Sequence, residues 1–247
     1  MISKTRGIVL HHIKFSESSV VATVYTEQFG RQAYMINGVR GKKSKIKANI
    51  LQPLYLLDME VYHKSTRDLQ RVKELQNAYI FNHLPYDLKK STVALFIAEI
   101  LYKAIREQEP HHELFNYLYH SVQMLDIKEK GLANFHIYFL LHLTKYLGFF
   151  PNHNYSATHQ YFDLKTGVFN QIKPNHGLAL NKEESEIFNQ MLTFSANQHE
   201  NINIDYKLRM QLIEKILKYF ELHHEGVSTI KSFNILKEVF HPGTPKI

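Results

Sequence analysis

Cysteine is missing from all 247 residues, which removes disulfides, thiol nucleophiles, iron–sulfur clusters and every cysteine-based zinc site together. No segment reaches the roughly 20 consecutive apolar residues that a membrane-spanning helix needs. Met1 to Leu10 carries two basic residues but no apolar run of signal-peptide length, so a cytoplasmic location is expected. A nucleotide-binding phosphate loop is missing as well. Gly41-Lys42-Lys43-Ser44 comes near one, yet Ile36 stands where its first glycine belongs and Ser44 falls one place late. There is no G-x-G-x-x-G, no G-x-S-x-G and no H-E-x-x-H, so the common dinucleotide, esterase and metalloprotease signatures also fail. Neither an internal repeat nor a low-complexity tract is present, and nothing points to a catalytic residue, an enzyme or a cofactor.

What is there is a globular composition with surplus positive charge. Hydrophobic residues make up 44% and charged residues 21%, ordinary for a folded protein and far from the signature of disorder. The formal net charge of +7 makes nucleic acid or acidic protein tails natural partners. Sixteen histidines stand outside that count, and those that protonate below about pH 6.5 raise the charge further, so affinity for DNA is expected to rise on acidification. The pairs His11-His12, His111-His112 and His223-His224 point neighbouring rings to different faces and chelate poorly. A bound metal is not expected; His153, His159 and His176 are the one plausible cluster.

The first seventy or so residues read as β-structure. Gly7 to Leu10 and Val20 to Thr26 suit strands, Glu27 to Gly30 supplies a turn, and Arg31 to Asn37 resumes the extended pattern as a hairpin. Leu54 to Tyr62 and Asp68 to Lys73 continue it. Several short strands at close spacing are satisfied most economically by a small closed barrel. From about Glu74 the period becomes helical. Ser91 is expected to cap a helix with Val93, Phe96, Ile97, Ile100, Leu101 and Ala104 on one stripe, and Pro110 to begin the next, carrying Leu114, Leu118, Val122 and Leu125. Ala133 to Leu147 is apolar nearly all round and predicts a central bundle helix. Gly148 to Leu180 breaks the pattern, and helical periodicity returns over Lys182 to Phe194, Asp205 to His223 and Ser228 to Phe240. The fold class expected is α+β: a barrel domain over 1–73 and a helical domain over 74–247, the latter interrupted by an irregular insertion near 148–180.

Arg40, Lys42, Lys43, Lys45 and Lys47 crowd into eight residues, a density at which the cations stay solvated unless an anion neutralises them. A solvated loop is the plain reading. Placement in a barrel favours the other, since such barrels carry single-stranded nucleic acid in basic grooves with aromatic rings stacked on bases. Tyr34 and Tyr55 are aromatic candidates, although tyrosines alternating in strands are more often core or cross-strand partners.

Several stretches are similar to one family. Glu17-Ser18, Thr26-Glu27 with Gly30-Arg31, Gly38-Val39-Arg40-Gly41-Lys42-Lys43-Ser44 and Leu51-Gln52-Pro53-Leu54 resemble the N-terminal domain of RecO. Ala98-Glu99-Ile100-Leu101, Leu147-Gly148-Phe149-Phe150-Pro151, Tyr161-Phe162-Asp163 with Gly167, and Ile230-Lys231-Ser232 resemble its helical domain. The resemblance implies an OB-fold followed by a helical domain. It also implies an ATP-independent recombination mediator that binds single- and double-stranded DNA, anneals strands coated with single-stranded DNA-binding protein (SSB), and with RecR helps load RecA. Many members carry four zinc-binding cysteines after the Gly-Phe-x-Pro motif. Here the segment from Asn152 to His176 has none, so the insertion stands in for a zinc-binding segment and must hold its shape by packing Phe149, Phe150, Tyr155, Tyr161 and Phe162.

DNA contacts are expected from Arg31, Arg40, Lys42, Lys43, Lys45, Lys47 and Arg67, acting on phosphates. An SSB tail is expected against Leu118, Val122, Leu125 and Ile137 with Lys128 and Lys130 as a basic rim, unless these are simply core. Two alternatives stay open: an RNA- or single-stranded-DNA-binding barrel with a helical scaffold and no annealing role, and a hydrolase built from histidines and aspartates distant in sequence.

Overall fold

Side chains of period two fill the first third of the chain, and the computed structural model, which describes residues 2–39, 48–194, 198 and 202–243, turns them into strands. Two compact units, Met1–Ile127 and Lys128–Ile247, are taken in turn. In the first, β1 (Ile2–Lys14), β2 (Val20–Thr26), β3 (Gly30–Ile36), β4 (Leu56–Tyr62) and β5 (Leu69–Asn77) close a barrel in the order β1-β2-β3-β5-β4, the OB-fold layout. Only the β3–β5 pairing is parallel. Val9, Val20, Ala22, Val24, Tyr34, Ile36, Leu57, Met59 and Val61 fill the interior.

β1 is far longer than the Gly7 to Leu10 run. Its first half pairs with β4, Ile2 opposite Tyr62, and its second with β2, Lys14 opposite Val20, with an irregularity between Val9 and His11 that turns the strand round the barrel. β5 runs to Asn77, beyond the expected change of period at Glu74. Its largely polar, exposed face concealed it.

α1 (Leu88–Ala104) and α2 (His112–Ile127) complete this unit. The cap of α1 is Asp87, which accepts from the Lys89 and Lys90 N–H groups, whereas Ser91 sits in the first turn and donates to the Leu88 carbonyl at 3.1 Å. In place of Pro110, His111 opens α2, its ring accepting from the Leu114 N–H at 3.2 Å. The wholly buried carboxylate of Asp126, near the end of α2, receives the N–H groups of Asn82, His83 and Leu84 at 3.0, 2.9 and 2.7 Å and the Tyr79 hydroxyl at 3.3 Å. Burial opposes its ionisation, but these donors outweigh burial and hold the carboxyl below its ordinary range. The passage from barrel to helices is thereby fastened at one point.

In the second unit, α3 (Leu132–Tyr146) is buried at Phe135, Ile137, Phe139, Leu140, Leu141 and Leu143, as expected of a central helix. The irregular stretch after it forms one two-stranded ribbon, β6 (Tyr161–Asp163) with β7 (Val168–Asn170). Rings hold it: Phe162 lies 4.3 Å from Phe188 and 4.9 Å from Phe169, and Phe149 meets Phe220 edge-on at 5.1 Å. α4 (Lys182–Thr193) starts at a capping box of Asn181 and Glu184, α5 (Tyr206–His223) at Asp205, and α6 (Ser232–Phe240) follows. His136 of α3 is fully enclosed, and burial, with Arg209 adding to it, pushes its pKa down to about 3. Among the described residues no helix is long and apolar enough to cross a membrane.

Candidate nucleic-acid interface

The Thr26-Glu27 and Gly30-Arg31 motif joins barrel to helices. Thr26 accepts the Phe29 N–H at 3.1 Å and donates to the Gly30 carbonyl at 2.8 Å, closing the β2–β3 turn. Glu27 takes two hydrogen bonds from Arg6 at 2.9 and 2.7 Å; these hold the Glu27 carboxyl below its usual range against the opposing effect of burial. Arg6 in turn lies over the rings of Tyr119 and Phe115 of α2, at 4.8 and 5.4 Å. Gly30, at φ +59°, leaves no room for a side chain, since a Cβ there would fall 2.3 Å from the Glu109 carbonyl oxygen. Arg31 donates to the carbonyls of Tyr102 and Ile105 at 2.7 and 2.6 Å and covers the Tyr102 ring at 4.6 Å. A fixed cation there satisfies the open carbonyls at the end of α1 and complements its dipole. Arg31, expected on phosphate, is placed on α1.

Two outer faces of the barrel differ in charge. Between β1, β4 and β5 lies a cleft of about 600 Å³ lined by Lys4, Arg6, Lys73, Glu27, Asp58, Glu60 and Glu74, among others. Its cations are already matched: Lys4 and Lys73 sit 3.4 and 2.7 Å from Glu60, and Arg6 sits 2.7 Å from Glu27. A phosphate entering it would have to break those pairs and face the remaining carboxylates. On the opposite face β3 ends at Ile36 and the chain passes Val39, whose N–H is held by the Ser18 carbonyl at 3.0 Å. It next enters the run containing Arg40, Lys42, Lys43, Lys45 and Lys47, which lies outside the described residues, and re-emerges in a short 3₁₀ turn, Ala48–Leu51. No aspartate or glutamate occurs from Asn37 to Leu57. The chain is thus held in the barrel on both sides of that run, at Val39 and at Leu51.

Arg67 is exposed in the turn before β5, where its carbonyl accepts from the Gln70 side chain at 2.6 Å. Tyr34 is wholly buried and forms part of the barrel core, and Tyr55 packs 4.9 Å from Phe81; an exposed aromatic ring instead stands in the β1–β2 turn at Phe15, which carries no signal in the sequence that marks it for a site. Of the residues assigned to an SSB tail, Leu118, Val122 and Leu125 are buried in the first unit, and Ile137 and Lys128 in the second, while Lys130 is exposed. As the protein stands, their apolar surface is occupied. His153, His159 and His176 do not converge: His176 meets Asp163 at 3.3 Å, His159 contacts Ser156 and Thr158, and His153 lies against Phe150. Among the described residues no group of three or more potential ligands could hold a metal ion.

Residues 1–81 match the family model "Recombination protein O N terminal" and residues 85–232 match "Recombination protein O C terminal". A protein of Phocaeicola vulgatus called DNA repair protein RecO is 33% identical over 240 residues, 97% of this chain and 100% of its own. Proteins of the same name from Bacteroides fragilis and Flavobacterium psychrophilum are 34% and 35% identical, covering 97% and 96% of this chain and 100% and 98% of theirs.

Proposed function

The chain belongs to the RecO family of DNA repair proteins, and from that premise we propose that it is a non-enzymatic recombination mediator that binds DNA and anneals SSB-coated complementary strands. The observation that carries this reading is an OB-fold barrel whose β1–β4–β5 cleft has its cations matched and whose chain, between the core residues Val39 and Leu51, runs through five cations with no carboxylate among them. Arg40, Lys42, Lys43, Lys45 and Lys47 neutralise phosphates, with Arg67 as an outlying contact; Arg31 supports the domain that presents them. Neutralising two strands at once lowers their repulsion and lets base pairing proceed without ATP. Its protein partners are RecR, with which it helps load RecA, and SSB. An SSB tail lodged at Leu118, Val122, Leu125, Lys128, Lys130 and Ile137 would require the packing around those side chains to open, so fluorescence polarisation of a tail peptide is expected to show binding that Lys130→Glu weakens.

The deciding experiment is annealing of SSB-coated complementary oligonucleotides, without ATP, at two salt concentrations. Acceleration that fades as salt rises is expected, because each released counterion steepens the salt dependence. No acceleration by folded protein would leave a nucleic-acid-binding barrel with another task.

A further inference from the structure

One row of side chains on the barrel's outer surface lies outside the core cluster. Ile13 is opposite Val21, Val21 opposite Met35 and Met35 opposite Arg71, and directly opposed residues share a face. Their neighbours Val20, Ala22, Tyr34 and Ile36 point inward and are buried, so the row points out. Ile13 is 54% exposed, and Phe15, two residues further on, is 64% exposed. Local hydrogen bonds hold Phe15 in place. Its N–H bonds the Ser19 carbonyl at 3.0 Å, the Ser19 hydroxyl bonds Asn37 Oδ1 at 3.0 Å, and the Ser18 carbonyl takes the Val39 N–H at 3.0 Å. The last two bonds fasten the β1–β2 turn to the residues from which the chain enters the basic segment.

We propose that Phe15, with Ile13, Val21 and Met35 beside it, is a stacking surface for the unpaired bases of single-stranded DNA. It rests on the DNA-binding reading above and adds a strand preference to it. Charge chooses the occupant: Arg71 stands opposite Met35 at the end of the row, Glu17 is the one acidic residue in the β1–β2 turn, and the chain that this turn holds at Val39 continues into five cations with no carboxylate. An exposed phenyl ring pairs with the π-face of any base, whereas a duplex keeps its bases stacked within and offers mainly phosphates and groove edges. The consequence for annealing is directional. Each base pair that forms withdraws two bases from the protein, so the product is held by phosphate contacts alone and leaves.

The test uses full-length protein and three ligands: an oligothymidylate, an abasic strand of equal length and a duplex. By fluorescence anisotropy, Phe15→Ala is expected to weaken the oligothymidylate by about tenfold and to leave the abasic strand and the duplex within about twofold. The ring is exposed, so its removal costs the fold little. Phe15→Trp places a sole tryptophan in a chain that has none. Its emission is expected to be quenched by oligothymidylate and not by duplex. Equal losses on all three ligands, unchanged affinity for oligothymidylate, or an unquenched tryptophan would overturn the inference while leaving DNA binding intact. Wild-type protein that binds none of the three would overturn the DNA-binding reading itself.

Discussion

The β1–β4–β5 cleft and the run that follows Val39 both carry cations, three in the one and five in the other, and differ in the carboxylates that accompany them. In the β1–β4–β5 cleft every lysine and arginine finds a carboxylate within 3.4 Å, so the charges are spent inside the molecule. The stretch from Asn37 to Leu57, which the chain enters at the end of β3, has five cations and no carboxylate of its own, a composition suited to a polyanion. Counting basic residues alone would call both of them basic. Asking which carboxylates accompany the cations separates them.

The largest expected effect sharpens that contrast by reversing charge on each face. The triple variant Arg40→Glu, Lys42→Glu, Lys43→Glu is expected to weaken DNA binding by about a hundredfold or more without unfolding, whereas Lys4→Glu with Lys73→Glu changes it by less than about threefold. Similar losses from both variants in anisotropy titrations would break the comparison. Arg31 tests whether a cation near the surface belongs to either face. Arg31→Ala, which leaves two helix-end carbonyls without their charged donor, is expected to lower stability by about 2–3 kcal/mol in urea melts while DNA affinity stays within about twofold.

Acidification acts on the comparison from outside the barrel. His136 ionises only near 3 in the folded protein but near 6.5 unfolded. Below about pH 6.5 the unfolded chain therefore binds the extra proton first and stability falls, by about 2 kcal/mol at pH 5. His136→Leu is expected to flatten that slope between pH 7 and 5, and an unchanged slope would refute the assignment. Any gain in DNA affinity from charging the other histidines has to be read above the pH at which the helical unit weakens. The smallest effect lies in the cleft. Glu27 ionises below its usual range, so its pairing stabilises the fold above about pH 4.5 and the contribution disappears as pH falls further. Glu27→Gln is expected to cost at most about 1 kcal/mol at pH 7 and progressively less as pH falls below about 4.5.

Residue order made β2, β3, β4 and the central helix α3 legible in the sequence, and of β1 only the apolar middle from Gly7 to Leu10, since half-buried strands and buried helices write their burial directly into residue order. β5 was truncated in that reading because a strand with few buried side chains carries no such signature. Arg31 reads as a free cation until its acceptors, Tyr102 and Ile105, are brought from more than seventy residues away. Asp126 is the same lesson in reverse. An aspartate between Leu125 and Ile127 looks like a flaw in an apolar stripe, and its purpose depends on N–H groups more than forty residues earlier in the chain. Tyr34 and Phe15 are both aromatics of the early hairpin, but only register and burial tell which faces inward.

Gly30 carries a consequence for genetics. With a carbonyl oxygen 2.3 Å from where a single carbon would sit, Gly30→Ala must push the α1–α2 connection off the barrel rim. The lesion touches no cation of the basic segment. It would behave as a conditional allele, with repair-proficient cells in the cool and damage-sensitive cells in the warm, and suppressors would arise along residues 107–109 before they arose in the strand itself.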